Sequence, residues 1–102
     1  MIARVWRGTA RADAAPEYLA HLRDTVFPEI GAIDGNRGAL VLQRVEDGTI
    51  EFTVITLWDS IDAIRRFAGP DAEAAVVAPR AQALLATWER RVSHYEVPLT
   101  AL

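Results

Sequence analysis

The sequence predicts an α+β fold in which strands and helices follow the order strand, helix, strand, strand, helices, strand. Three observations predict it. Residues 2–8 alternate in character as a strand does; Leu19, Leu22, Val26, Ile30 and Ile33 recur at helical spacing; and Ile50–Trp58 is dense in β-branched and aromatic residues. At 102 residues, 51% hydrophobic and 25% charged, the chain is expected to form one globular domain over residues 1–102 with one modest core.

The first strand places Ala3 and Val5 on one side and Ile2, Arg4 and Trp6 on the other. Asp13 can cap a helix whose first turn holds Pro16, a position where a missing amide costs nothing. His21 lies off the apolar stripe of that helix and is expected to face solvent. Pro28 is expected to kink or end the helix near Phe27. Gly35-Asn36-Arg37-Gly38 reads as a turn leading into a strand over Ala39–Val45. Glu46-Asp47-Gly48-Thr49 reads as a tight hairpin into the next strand, Ile50–Trp58. Asp59-Ser60 caps a second helix carrying Ile61, Ile64, Phe67 and Ala68, stopped by Gly69-Pro70. A short helical stretch is expected at Ala72–Val77. Another starts at Pro79, with Ala81, Leu84, Leu85 and Trp88 on its apolar face. Val92–Val97 is the last strand.

This βαββαβ series is the ferredoxin-like arrangement: a four-stranded antiparallel sheet with helices on one face. The strand Ile50–Trp58 is apolar on both faces, yet the chain has helix enough to cover only one. A second copy of the chain is therefore expected on the other face, giving a homodimer with packed sheets or a shared barrel.

Composition excludes several chemistries. There is no cysteine, so disulfides, thiolate catalysis and cysteine metal sites are out. All eleven basic residues are arginine, so lysine Schiff-base chemistry is out too. Two histidines, His21 and His94, do not make a histidine-rich metal site, and no metal is expected. The net charge is −3 with scattered arginines, which does not fit nucleic-acid binding. No apolar run is long enough to span a membrane, and the start lacks a signal-peptide pattern, so a cytoplasmic location is expected. Gly31, Gly35 and Gly38 do not form a dinucleotide fingerprint.

Met1-Ile-Ala-Arg-Val-Trp-Arg-Gly8, Pro28-Glu-Ile followed by Gly35-Asn-Arg-Gly38, Leu57-Trp-Asp-Ser60 with Ala63-Ile-Arg-Arg-Phe67, and His94-Tyr-Glu-Val97 resemble antibiotic biosynthesis monooxygenase-type domains. The resemblance spans nearly the whole chain and implies the dimeric α+β barrel fold. It implies that monooxygenase members oxidise phenolic polyketides with O₂ and no cofactor: the substrate becomes an electron-rich anion that itself passes an electron to O₂. Haem-degrading relatives instead carry a haem-contacting tryptophan and histidine. Those positions are similar to Phe67 and Val77 here, so the haem histidine is missing and no cofactor is expected.

Such chemistry needs a proton acceptor, an aromatic pocket and a cation. His94, on a strand, is the candidate general base; a structural histidine is the competing reading. Arg4, Trp6, Trp58 and Phe67 are candidate substrate-binding residues, for an aromatic small-molecule ligand. Packing competes as a reading for both tryptophans, and a salt bridge for Arg4. Arg37 and Asn36 are weaker candidates, as turn residues. Trp88 reads as core. Glu51 and Glu96 lie on strands and are expected to pair with Arg4 or Arg44. Two functions remain: a cofactor-independent monooxygenase acting on a small phenolic or enolisable substrate, or a non-catalytic dimeric ligand-binding or structural module. An enzyme should have a cavity lined by His94 or Arg4; a module could fill that space with Phe67, Leu84 and Trp58.

Overall fold

A computed structural model describes residues 1–101. The chain forms β1 (Ile2–Arg11), α1 (Ala15–His21), a π-helical segment (Leu22–Val26), α2 (Phe27–Gly31), β2 (Asn36–Glu46), β3 (Thr49–Trp58), α3 (Ile61–Ala68), α4 (Pro79–Leu84), β4 (Leu85–Trp88) and β5 (Ser93–Glu96). The sheet order is β2-β3-β1-β4, with β5 also on β1 and every pairing antiparallel.

The sheet therefore has five strands where four were expected. β4 pairs with Gly8–Ala10 and β5 with Ile2–Val5, so two short strands share the edge of β1 that one would occupy. Trp88 is consequently on β4, opposite Gly8, and not on a helix. The helix begun at Pro79 stops at Leu84 because Leu85 turns extended (φ −85°, ψ 143°).

Alternation along β3 sorts the two faces. Ile50, Phe52, Val54, Thr56 and Trp58 are buried under the helices; Thr53, Ile55 and Leu57 are half-buried on the far face. Asp47-Gly48 joins β2 to β3 as a two-residue turn with positive φ at both positions (49° and 80°), the twist that suits a hairpin. β2 begins three residues before the expected start, because its register shifts between Asn36 and Gly38. Ser60 Oγ accepts the Ala63 amide at 3.1 Å and starts α3; Gly69 (φ 85°) ends it.

Pro28 does not end the first helix. The Phe27 amide donates to the Leu22 carbonyl, five residues back, and this wider turn makes room for the proline ring in the first turn of α2. Tyr18 is buried against Phe52, ring centroids 4.9 Å apart. The buried face of α1 is thus Ala15, Tyr18 and Leu22, with Leu19 only half-buried.

The expected helix at Ala72–Val77 is an extended strap. The Ala75 amide donates to the Arg90 carbonyl and the Val92 amide to the Glu73 carbonyl. Arg91 clamps the strap from outside through Asp71 and Glu73. From inside, Arg4 takes the carbonyls of Ala72 and Ala74, which a helix would have used itself.

Candidate functional site

Strand β1 carries Arg4 and Trp6 to the helix-covered face, beside Val54 and Thr56 of β3. Tyr18, His21, Leu22, Val26 and Ile30 stand over them, Val76–Ala78 of the strap closes one side, and Phe67 and Val92 complete the wall. The cavity they line has a volume of about 70 Å³ and is partly open to solvent. Its lining is mostly apolar, as in small-molecule sites, although its volume in the free chain is below the usual size of one.

Arg4 is the charge in this wall. It is only 4% exposed and forms no ion pair among the described residues. Nη1 donates to the Ala72 carbonyl, Nη2 to the Ala74 carbonyl at 2.6 Å, and Nη1 lies 3.4 Å from His94 Nε2. Its Cζ sits 5.6 Å from the Phe67 ring centroid. Burial pushes the guanidinium down to about 10, still a cation at neutral pH. Two backbone carbonyls and His94, and no carboxylate among the described residues, surround the buried cation.

Trp6 also lines the cavity. Its Nε1 donates to the Glu89 carbonyl at 2.9 Å, and its ring lies along the strand over Gly8. A Cβ at Gly8 would stand 2.7 Å from Trp6 Cη2, so glycine there makes room for the indole. Phe67 lines the cavity with its ring stacked on Trp58, 6.0 Å away. Trp58 itself is fully buried, bonds Thr56 Oγ1 at 2.8 Å, and stands behind Phe67 and off the wall.

His94 faces Arg4 across the β1–β5 pair, not the cavity. Desolvation first, then the Arg4 charge, hold its imidazole below the ordinary value; Glu73 opposes them. His94 is thus neutral at neutral pH, and its Nε2 is spent on Arg4. His21, expected in solvent, lines the cavity instead, with a buried Nε2 that has no hydrogen-bond partner. The signal that could have found it is Pro28. A helix that continues past proline needs a local change of helical register, and a 3.6-residue stripe drawn through it misplaces the face.

The remaining candidates lie elsewhere. Arg37 holds Asp59 with two hydrogen bonds at the surface (2.6 and 2.9 Å), and Asn36 bonds the Gly38 amide and the Leu57 carbonyl at the start of β2. Glu51 pairs with Arg44 at 3.1 Å, and Glu96 is exposed. Leu84 is not on the cavity wall, and the Arg90 guanidinium lies 4.5 Å over the half-buried Trp88 ring.

No sequence match is found among curated proteins. Solved structures of the same fold include the haem-degrader MhuD from Mycobacterium tuberculosis with two haems in its active site, at 20% identity, TM-score 0.67, and 99% coverage of each chain. A mutant of MhuD with two manganese protoporphyrin IX molecules per active site matches at 23% identity and TM-score 0.71, over 99% of this chain and 98% of that one. A protein from Deinococcus radiodurans described as an antibiotic biosynthesis monooxygenase matches at 17% identity and TM-score 0.66, over 100% and 97%. At these identities the likeness speaks for the fold. Residues 1–78 match the antibiotic biosynthesis monooxygenase family model; Arg4, Trp6, His21 and Phe67 fall inside the match and His94 outside it. The chain belongs to the antibiotic biosynthesis monooxygenase family.

Proposed function

We propose that this protein is a cofactor-independent monooxygenase that binds a small phenolic or enolisable molecule in the cavity and holds its anion on Arg4. The observation that carries the reading is the buried Arg4 guanidinium, with no carboxylate partner among the described residues, on the wall of a largely apolar cavity of about 70 Å³. Burying a cation costs several kcal/mol, and its bonds to the strap carbonyls are neutral, so its charge is left for a ligand. Trp6 and Phe67 supply flat surfaces for a ring. His94 acts through Arg4, as a neutral acceptor that orients the guanidinium. A non-catalytic module filled by its own side chains has less support, because Trp58 and Leu84 leave the space open.

In this reading the bound anion gives one electron to O₂. The ligand radical and superoxide then combine into a hydroperoxide. A ring CH₂ carbon ends as a carbonyl, and the second oxygen atom leaves as water. Arg4 stabilises the oxyanion before the electron moves. A porphyrin fits this wall poorly: the positions that the resemblance assigns to the haem-contacting tryptophan and histidine carry Phe67 and Val77, and both line the cavity.

The chain also pairs with a second copy. Leu40, Leu42 and Tyr95 are exposed on the far face of the sheet, around half-buried Ile55 and Leu57. No helix of the described chain covers that face, and a second sheet is the partner that fits it.

The test of the site is titration with 4-nitrophenol above its ionisation midpoint. The anion is expected to saturate one site per protomer, with at least about tenfold weaker binding in Arg4→Met, as for loss of a charged hydrogen bond. Equal binding by the variant, or none by the natural chain, overturns the reading.

A further inference from the structure

His21 is the last residue of α1, directly before the π-helical segment. Its Nε2 is buried and without a partner among the described residues. A buried polar atom left unsatisfied costs about 1–3 kcal/mol and calls for an explanation. The same residue lines the cavity that holds the Arg4 guanidinium. The other titratable and charged groups on that wall are Arg4, from β1, and Tyr18, from α1; no carboxylate is among them. The Tyr18 ring lies 6.5 Å from the His21 ring, centroid to centroid, and neither group bonds Nε2. Burial raises the Tyr18 phenol, so it stays protonated and does not serve as a base. His94 is the other imidazole of the chain, and its Nε2 faces Arg4.

We propose that His21 Nε2 is the proton acceptor for the hydroxyl group of the ligand whose oxyanion Arg4 holds. The inference rests on the reading above, that the cavity takes a phenolic or enolisable molecule. The ligand O–H bond breaks and an Nε2–H bond forms. The electron pair stays on the ligand oxygen, and the charge pair that results is oxyanion and imidazolium. No oxidant enters this step. A bound ligand hydroxyl gives the otherwise unpartnered nitrogen a donor to accept from.

The experiment uses 4-nitrophenol at about pH 6.5, where the free dye is still mostly the colourless phenol. The whole chain is titrated by absorbance and by calorimetry in two buffers of different ionisation enthalpy. The natural chain is expected to bind the yellow anion without releasing a full proton to the buffer. In His21→Gln and His21→Phe, with folding checked by circular dichroism, the yellow fraction of bound dye is expected to fall at least about tenfold. An unchanged yellow fraction in both variants overturns the role of His21 and leaves the anion site standing. Binding of the colourless form by the natural chain overturns it too. Failure of the natural chain to bind either form overturns the anion site, and the inference with it.

Discussion

Nη1 of Arg4 lies 3.4 Å from Nε2 of His94, its register partner across the β1–β5 pair. Arginine has only donors, so Nε2 is the acceptor and the imidazole proton belongs on Nδ1. The contact gives His94 a role without a place on the cavity wall: it orients the cation that is there.

The His94 titration reports this contact. Its midpoint by NMR is expected below 6.5, with desolvation the larger cause and Arg4 the second. Arg4→Met is expected to raise the midpoint, and Glu73→Gln to lower it further. The folded chain binds this proton less tightly than the unfolded one. Stability therefore falls as pH drops through the window between the folded midpoint and 6.5, and His94→Gln flattens that slope. A midpoint above 6.5 contradicts the assignment.

Arg4 also ties the strap to the sheet. Arg4→Met leaves the Ala72 and Ala74 carbonyls without their donor and is expected to cost about 1–3 kcal/mol in urea unfolding. Arg4→Lys keeps a charge but has no planar fork to span both carbonyls, so it is expected to recover only part of the loss. A variant as stable as the natural chain would show that Arg91 and the backbone bonds to Arg90 and Val92 hold the strap without Arg4.

Much of this was legible before the structure. Period-two alternation in Ile50–Trp58 marks a strand with two usable faces, and Asp47-Gly48 and Ser60 mark a hairpin and a cap by their chemistry. Arg4 and Trp6 share the cavity face as parity in β1 required. What was hidden depends on tertiary contacts. The Ala-rich stretch 72–77 has helical propensity, but Arg4, sixty-eight residues away from Ala72, claims its carbonyls. Leu85–Trp88 fits a helical stripe as well as a short strand, and only the open edge of β1 decides between them. His21 was hidden because a π turn shifts a face that a fixed 3.6-residue period extends unchanged.

The far face predicts the assembly. The natural chain is expected to be a dimer by light scattering at micromolar concentration, with an interface above about 1,000 Å². Leu42→Glu places a charge on that face and is expected to give a folded monomer. A natural chain already monomeric at that concentration contradicts the pairing.

Gly8 tests the indole. Gly8→Ala puts a methyl group against Trp6 Cη2 and the Thr87 carbonyl, so the ring must shift. The expected cost is about 1–3 kcal/mol, with weaker binding of 4-nitrophenol and a changed tryptophan emission that Trp6→Phe abolishes. Unchanged stability and emission would mean that the indole does not lie over Gly8.

Oxygen uptake separates a monooxygenase from a protein that only binds phenols. Purified chain, treated with a chelator, is supplied with enolisable polycyclic phenols such as anthrones in an oxygen electrode. One O₂ is expected to be consumed per carbonyl formed, at a rate well above the protein-free reaction and lost in Arg4→Met. A phenol that saturates the cavity yet is oxidised no faster than in buffer, or equal rates in Arg4→Met, would contradict the proposed activity.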